Sequence, residues 1–120
     1  MAVYHHERIT PDVRWGYTLP YDSWAHRVAI LRFVQDIPRS PEDPSYGVMR
    51  AIEQGLSLFR ETPMLIQWGA RDWCFNMSFL QGWRARFPHA EVDVYDDAAH
   101  YVLEDAHERI IPRLCKFLGN

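Results

Sequence analysis

The sequence predicts an α/β fold organised around a short parallel sheet, on three observations. From Pro63 onward, apolar runs and amphipathic stretches alternate in the order strand, helix, strand, helix. The first run is a short apolar stretch between Pro63 and Gly69, and the second follows Pro88. Each is followed closely by a side chain that can carry chemistry, Asp72 after the first and His100 after the second.

The elements follow in chain order. Thr10-Pro11 is a helix-start signal, because Pro has no N–H to waste at a first turn and Thr can cap it. Pro20 ends that short helix. Asp22 or Ser23 caps a second helix, whose apolar positions Trp24, Val28, Leu31 and Val34 recur at three- and four-residue steps. It stops before Pro38, and residues 38–44, with three prolines, can only be a loop. A third helix is expected over residues 45–59, with Val48, Ile52, Leu56 and Phe59 on one face.

Residues 64–68 read as a buried strand. A helix over 75–87 would turn Phe79, Leu80, Trp83 and Phe87 inward and leave Arg84 and Arg86 solvated. Residues 90–95 form the second strand. A last helix over 104–118 tolerates Pro112 only with a kink or a broken first turn. Right-handed crossover places the two strands side by side, with both carboxyl ends at one rim. Since two strands do not make a stable sheet, they are expected to be part of a larger one.

Composition limits the function. At 120 residues the chain makes one domain at most. Its 48% hydrophobic and 14% aromatic content exceeds what so small a body hides, so apolar surface is expected to face a partner or missing residues. A net charge of −3 argues against nucleic-acid binding, which needs clustered Lys and Arg. Cys74 and Cys115 form neither a metal spacing nor a disulfide framework. The N-terminus lacks a signal-peptide core and no run is long enough to span a membrane, so a soluble cytoplasmic protein is expected.

In open parallel sheets, ligands bind beyond the carboxyl ends of the strands. His100 and Asp72 are both expected there, as a base titrating near neutrality and the acid that fixes its tautomer. The competing reading makes Asp72 a helix cap and His100 an ordinary loop histidine. No Gly-x-Ser-x-Gly elbow occurs in the chain, so a nucleophile is missing. Cys74 could play that part, but at a helix start it reads rather as a partly buried apolar residue. His5-His6 could bind metal with His26 or Glu7, yet the spacing is poor and a frayed terminus is expected. No metal or cofactor is implied. Glu104-Asp105 reads as a cap for the last helix, at its positive end.

Two segments carry a family resemblance. Trp68-Gly-Ala-Arg-Asp-Trp-Cys-Phe resembles the Gly-x-x-Asp turn after the penultimate strand of α/β-hydrolases. Asp97-Ala-Ala-His-Tyr-Val-Leu-Glu-Asp resembles their terminal Asp-Ala-Gly-His-x-x-x-Glu segment, with Ala99 where Gly is usual. The match is nearest to the haloalkane dehalogenase-like group, and within it to the β-lactone decarboxylases of long-chain olefin biosynthesis. Gly16-Tyr-Thr-Leu-Pro-Tyr-Asp-Ser-Trp24 and Asp36-Ile-Pro38 resemble the end of those enzymes' helical cap.

The resemblance implies the C-terminal part of an α/β-hydrolase fold, two parallel strands with flanking helices, preceded by part of a helical cap. Residues 1–38 would be the cap remnant and 39–120 the C-terminal part of the core. Asp72 would be the triad acid and His100 the base, serving a nucleophilic aspartate upstream of Met1. Trp15 and Tyr17 would line an apolar pocket for a haloalkane, epoxide or β-lactone. On this reading the isolated chain is inactive. The alternative is a non-catalytic module that self-associates or pairs with another chain, the missing N-terminal half included.

Overall fold

The computed structural model describes residues 2–119, so both outer ends of the expected domains, Met1 and Asn120, lie outside the described residues. The chain forms two compact units. One joins residues 2–11 to 63–119, and the other comprises residues 12–62. The break therefore falls at 62/63, and the proline-rich loop lies inside the second unit.

In the 12–62 unit, helix α1 (Pro11–Thr18) continues into a 3-10 turn (Leu19–Tyr21) that takes in Pro20. Helix α2 (Trp24–Gln35) starts at Ser23, whose hydroxyl accepts from the His26 N–H at 3.3 Å. The proline loop is closed by Asp43, whose carboxylate accepts from the backbone N–H groups of Arg39 and Ser40 at 2.6 and 2.8 Å. Helix α3 (Tyr46–Gly55) tightens into a 3-10 turn (Leu56–Phe59). The apolar faces expected from periodicity exist but are uncovered: Trp24 is 85% and Val48 61% exposed.

In the other unit, strands β1 (Leu65–Gly69) and β2 (Glu91–Tyr95) pair in parallel, with Leu65 opposite Glu91 and Gly69 opposite Tyr95. This register ends both strands at the same level. Helix α4 (Met77–Arg86) connects them, capped by the Asn76 side chain accepting from the Ser78 N–H and ended by Pro88. Of its expected inward residues, Leu80 and Phe87 are buried, while Phe79 and Trp83 stay exposed. Helix α5 (Val102–Phe117) packs on β1. Its departure from helical geometry is at Ala106 (φ −143°, ψ 21°), six residues before Pro112. The core joins the end of β2 to α5 through Tyr95, Ala98, Ala106 and Ile110.

The expected frayed N-terminus is corrected here. Val3 is buried, the Tyr101 N–H donates to the Ala2 carbonyl at 2.8 Å, and a short 3-10 turn (His6–Arg8) follows. Arg8 reaches α5 in an ion pair with Glu108 at 2.6 Å.

Candidate active site

The site begins at the level end of the two strands. After β1 the chain turns sharply, with the Ala70 N–H donating to the Tyr95 carbonyl at 2.9 Å and that of Asp72 to the Gly69 carbonyl at 3.2 Å. After β2 a loop of residues 96–101 crosses above Gly69. A Cβ at Gly69 would lie 2.3 Å from the Ala99 carbonyl oxygen and 2.7 Å from that of Ala98. Only a residue without a side chain lets the two turns approach this closely. Arg71 ties them further, its backbone N–H donating to the Ala98 carbonyl and its Nε to the Asp96 carbonyl.

This arrangement brings the two expected residues together: His100 Nδ1 lies 2.9 Å from Asp72 Oδ2. The other carboxylate oxygen, Oδ1, accepts from the backbone N–H groups of Cys74 and Phe75 at 2.8 and 2.9 Å. Asp72 is therefore not the cap of α4, a task performed by Asn76. Its side chain is only 9% exposed. Burial pushes its carboxyl up, but the hydrogen bond from His100, the two backbone donors and the imidazole charge outweigh that, and the net shift is downward. An ionised carboxylate only accepts, so Nδ1 carries the proton and Nε2 is left as the basic nitrogen. Phe75, Tyr101 and Trp73 surround the imidazole, with ring centroids 5.5, 5.8 and 6.4 Å away.

Asp105 departs from expectation. It does not serve as an exposed cap at the helix start: it is 1% exposed. Its carboxylate accepts from the backbone N–H groups of Tyr4 (2.9 Å), His5 (2.8 Å) and Ala99 (2.8 Å). The sequence signal was an acid in a helical first turn, which is common and says nothing of partners far away in the chain. Ala99, in place of the usual Gly, costs nothing in backbone conformation, since no described residue other than glycine has positive φ.

The remaining expectations fall elsewhere. Cys74 is exposed rather than partly buried. Trp15 and Tyr17 lie on α1 in the other unit, 63% and 47% exposed. Among the described residues, no group of three His, Cys, Asp or Glu is placed to hold a metal ion, and no helix is long and apolar enough to cross a membrane.

A half-buried acid and a histidine are thus hydrogen-bonded beyond the carboxyl ends of a parallel strand pair, the place where open parallel sheets bind ligands, and the two-stranded sheet with its helices is consistent with an α/β-hydrolase fold. Comparison with known proteins narrows the likeness. The chain is 46% identical over 111 residues to a cis-3-alkyl-4-alkyloxetan-2-one decarboxylase of Xanthomonas campestris pv. campestris, covering 92% of this chain and 37% of that protein. It is 42% identical over 106 residues to the protein of the same name from Shewanella oneidensis, covering 88% of this chain and 33% of that protein. A haloalkane dehalogenase of Mycobacterium marinum is more distant, 28% identical over 113 residues, covering 89% of this chain and 36% of that protein. The resemblance read from the two site segments thus extends over most of the chain, while the chain spans about a third of the length of these relatives. No family model matches it.

Proposed function

We propose that this chain supplies the acid and histidine of an α/β-hydrolase active site acting on a β-lactone. The observation that carries the proposal is the 2.9 Å contact between His100 Nδ1 and Asp72 Oδ2 at the carboxyl rim of β1 and β2. Asp72 holds the imidazole in one tautomer and offsets its charge, and His100 exchanges a proton through Nε2. The nucleophile, an aspartate by the resemblance, comes from outside this chain. The relatives' name specifies a substituted oxetan-2-one as substrate. Opening such a ring and releasing carbon dioxide breaks one C–O and one C–C bond and leaves an alkene, with no external redox partner. By the resemblance, residues 10–38, including Trp15 and Tyr17, would belong to a cap that receives the alkyl chains.

Because nucleophile and electrostatic donors account for most of the acceleration in such enzymes, His100 and Asp72 alone give almost none. The test is alkene release from a cis-3,4-dialkyl β-lactone, followed by gas chromatography. The chain alone is expected to release none. Mixed with a polypeptide carrying the first two-thirds of the Xanthomonas relative, it is expected to release alkene, and His100→Ala or Asp72→Asn to abolish that release. Turnover that survives His100→Ala would sink the proposal.

A second reading, a non-catalytic interaction module, is favoured by one observation: the sheet has only two strands among the described residues, so each has an unpaired outer edge. It predicts concentration-dependent self-association in sedimentation with no alkene under any mixture.

A further inference from the structure

We infer that Asp105 is a positioning residue for His100, and that through it the N-terminal segment holds the histidine loop in place. The inference rests on the proposed pairing of His100 with Asp72. One buried carboxylate gathers three backbone N–H groups that no secondary structure would satisfy. Tyr4 and His5 lie about a hundred positions away in sequence, and Ala99 immediately precedes His100. Charged acceptors make the stronger hydrogen bonds, and three donors on one buried group fix its position. The Ala99 bond holds the histidine loop from the α5 side, and contact with Gly69 limits it from the strand side. The Tyr101 N–H bond to the Ala2 carbonyl ties the residue after His100 to the same segment. His100 is thus bracketed by neighbours that both lean on residues 2–5. Asp105 itself touches neither imidazole nor Asp72 in any hydrogen bond of the structure, so its effect passes through the backbone.

The test is the pH titration of the Asp72 carboxyl carbon by NMR in the full chain, as wild type, His100→Ala and Asp105→Asn. Asn keeps the size of the side chain but replaces one oxygen acceptor by a donor. Removing the imidazole is expected to move the Asp72 midpoint upward. Asp105→Asn is expected to cover at least half of that same gap while β1 and β2 amide shifts stay native. Asp43, held low by backbone donors in the other unit, should not move in either variant. A wild-type Asp72 midpoint in a folded Asp105→Asn chain overturns the inference and leaves the pairing intact. An Asp72 midpoint indifferent to His100→Ala overturns both. If Asp105→Asn does not fold, amide exchange in the wild type decides. Tyr4, His5 and Ala99 should exchange at comparable rates as one opening unit, and Ala99 remaining protected while Tyr4 and His5 exchange freely overturns the coupling.

Discussion

Gly69→Ala probes the closest approach in the site. The added methyl carbon would lie 2.3 Å from the Ala99 carbonyl oxygen, and an ordinary carbon–oxygen contact is about 3.3 Å, so the loop must retreat by roughly 1 Å. Both obstructing oxygens are backbone, so no side-chain rotation relieves the clash. His100 follows Ala99 directly and must share the displacement. Carried fully along the hydrogen bond, a shift of that size stretches 2.9 Å to roughly 3.9 Å, outside hydrogen-bonding range. Overpacking of this kind costs about 1–3 kcal/mol. Urea unfolding, followed at β1 and β2 amides, should show that loss, and the Asp72 carboxyl should titrate closer to its ordinary value. In a complemented enzyme, misplacement by about 1 Å corresponds to roughly a hundredfold loss of rate. The control is Gly82→Ala in the middle of α4, where nothing lies within 4 Å of the new methyl. It should stabilise by about 0.5–1 kcal/mol. Wild-type stability and an unmoved Asp72 in Gly69→Ala would refute the steric reasoning.

Two further outcomes follow from the same unit. The Asp72 carboxyl is depressed in the folded chain, so it contributes stability above its unfolded value near 3.9, and that contribution is lost as pH falls through the lower folded value. Acid titration of stability should therefore show the gap between wild type and Asp72→Asn closing below about pH 4; a gap that widens there contradicts the sign of the shift. Ile110→Ala, in the cluster that joins α5 to the end of β2, should cost about 2–5 kcal/mol in urea unfolding, and a cost under about 1 kcal/mol would mean that this cluster does not hold the rim together.

Much of the site was legible because strand punctuation fixes where a rim residue falls. Pro63 and Gly69 bracket β1, so Asp72 had to lie just beyond it, and the same logic places His100 after β2. Asp105 was not legible, since its partners Tyr4 and His5 are joined to it only by the tertiary fold. Periodicity likewise gave α2 and α3 their apolar faces but not what covers them: Val34 and Ile52 remain 63% and 56% exposed. The last helix was expected to meet Pro112 with a kink or a broken first turn, and its break does lie in the first turn of the expected 104–118 span. The break came at Ala106, beside the buried Asp105, where tertiary hydrogen bonding competes with the helical ladder.

The strand-bearing unit is discontinuous in sequence, since residues 2–11 and 63–119 fold together around an intervening segment. Topologically, residues 12–62 are an excursion that leaves one body and returns to it. Such an excursion can be lengthened, shortened or replaced by a graft without severing the stretch of chain that carries both Asp72 and His100. A graft there leaves the Asp72–His100 pair with every hydrogen-bond partner described for the Asp72 carboxylate, since His100, Cys74 and Phe75 all belong to the other unit.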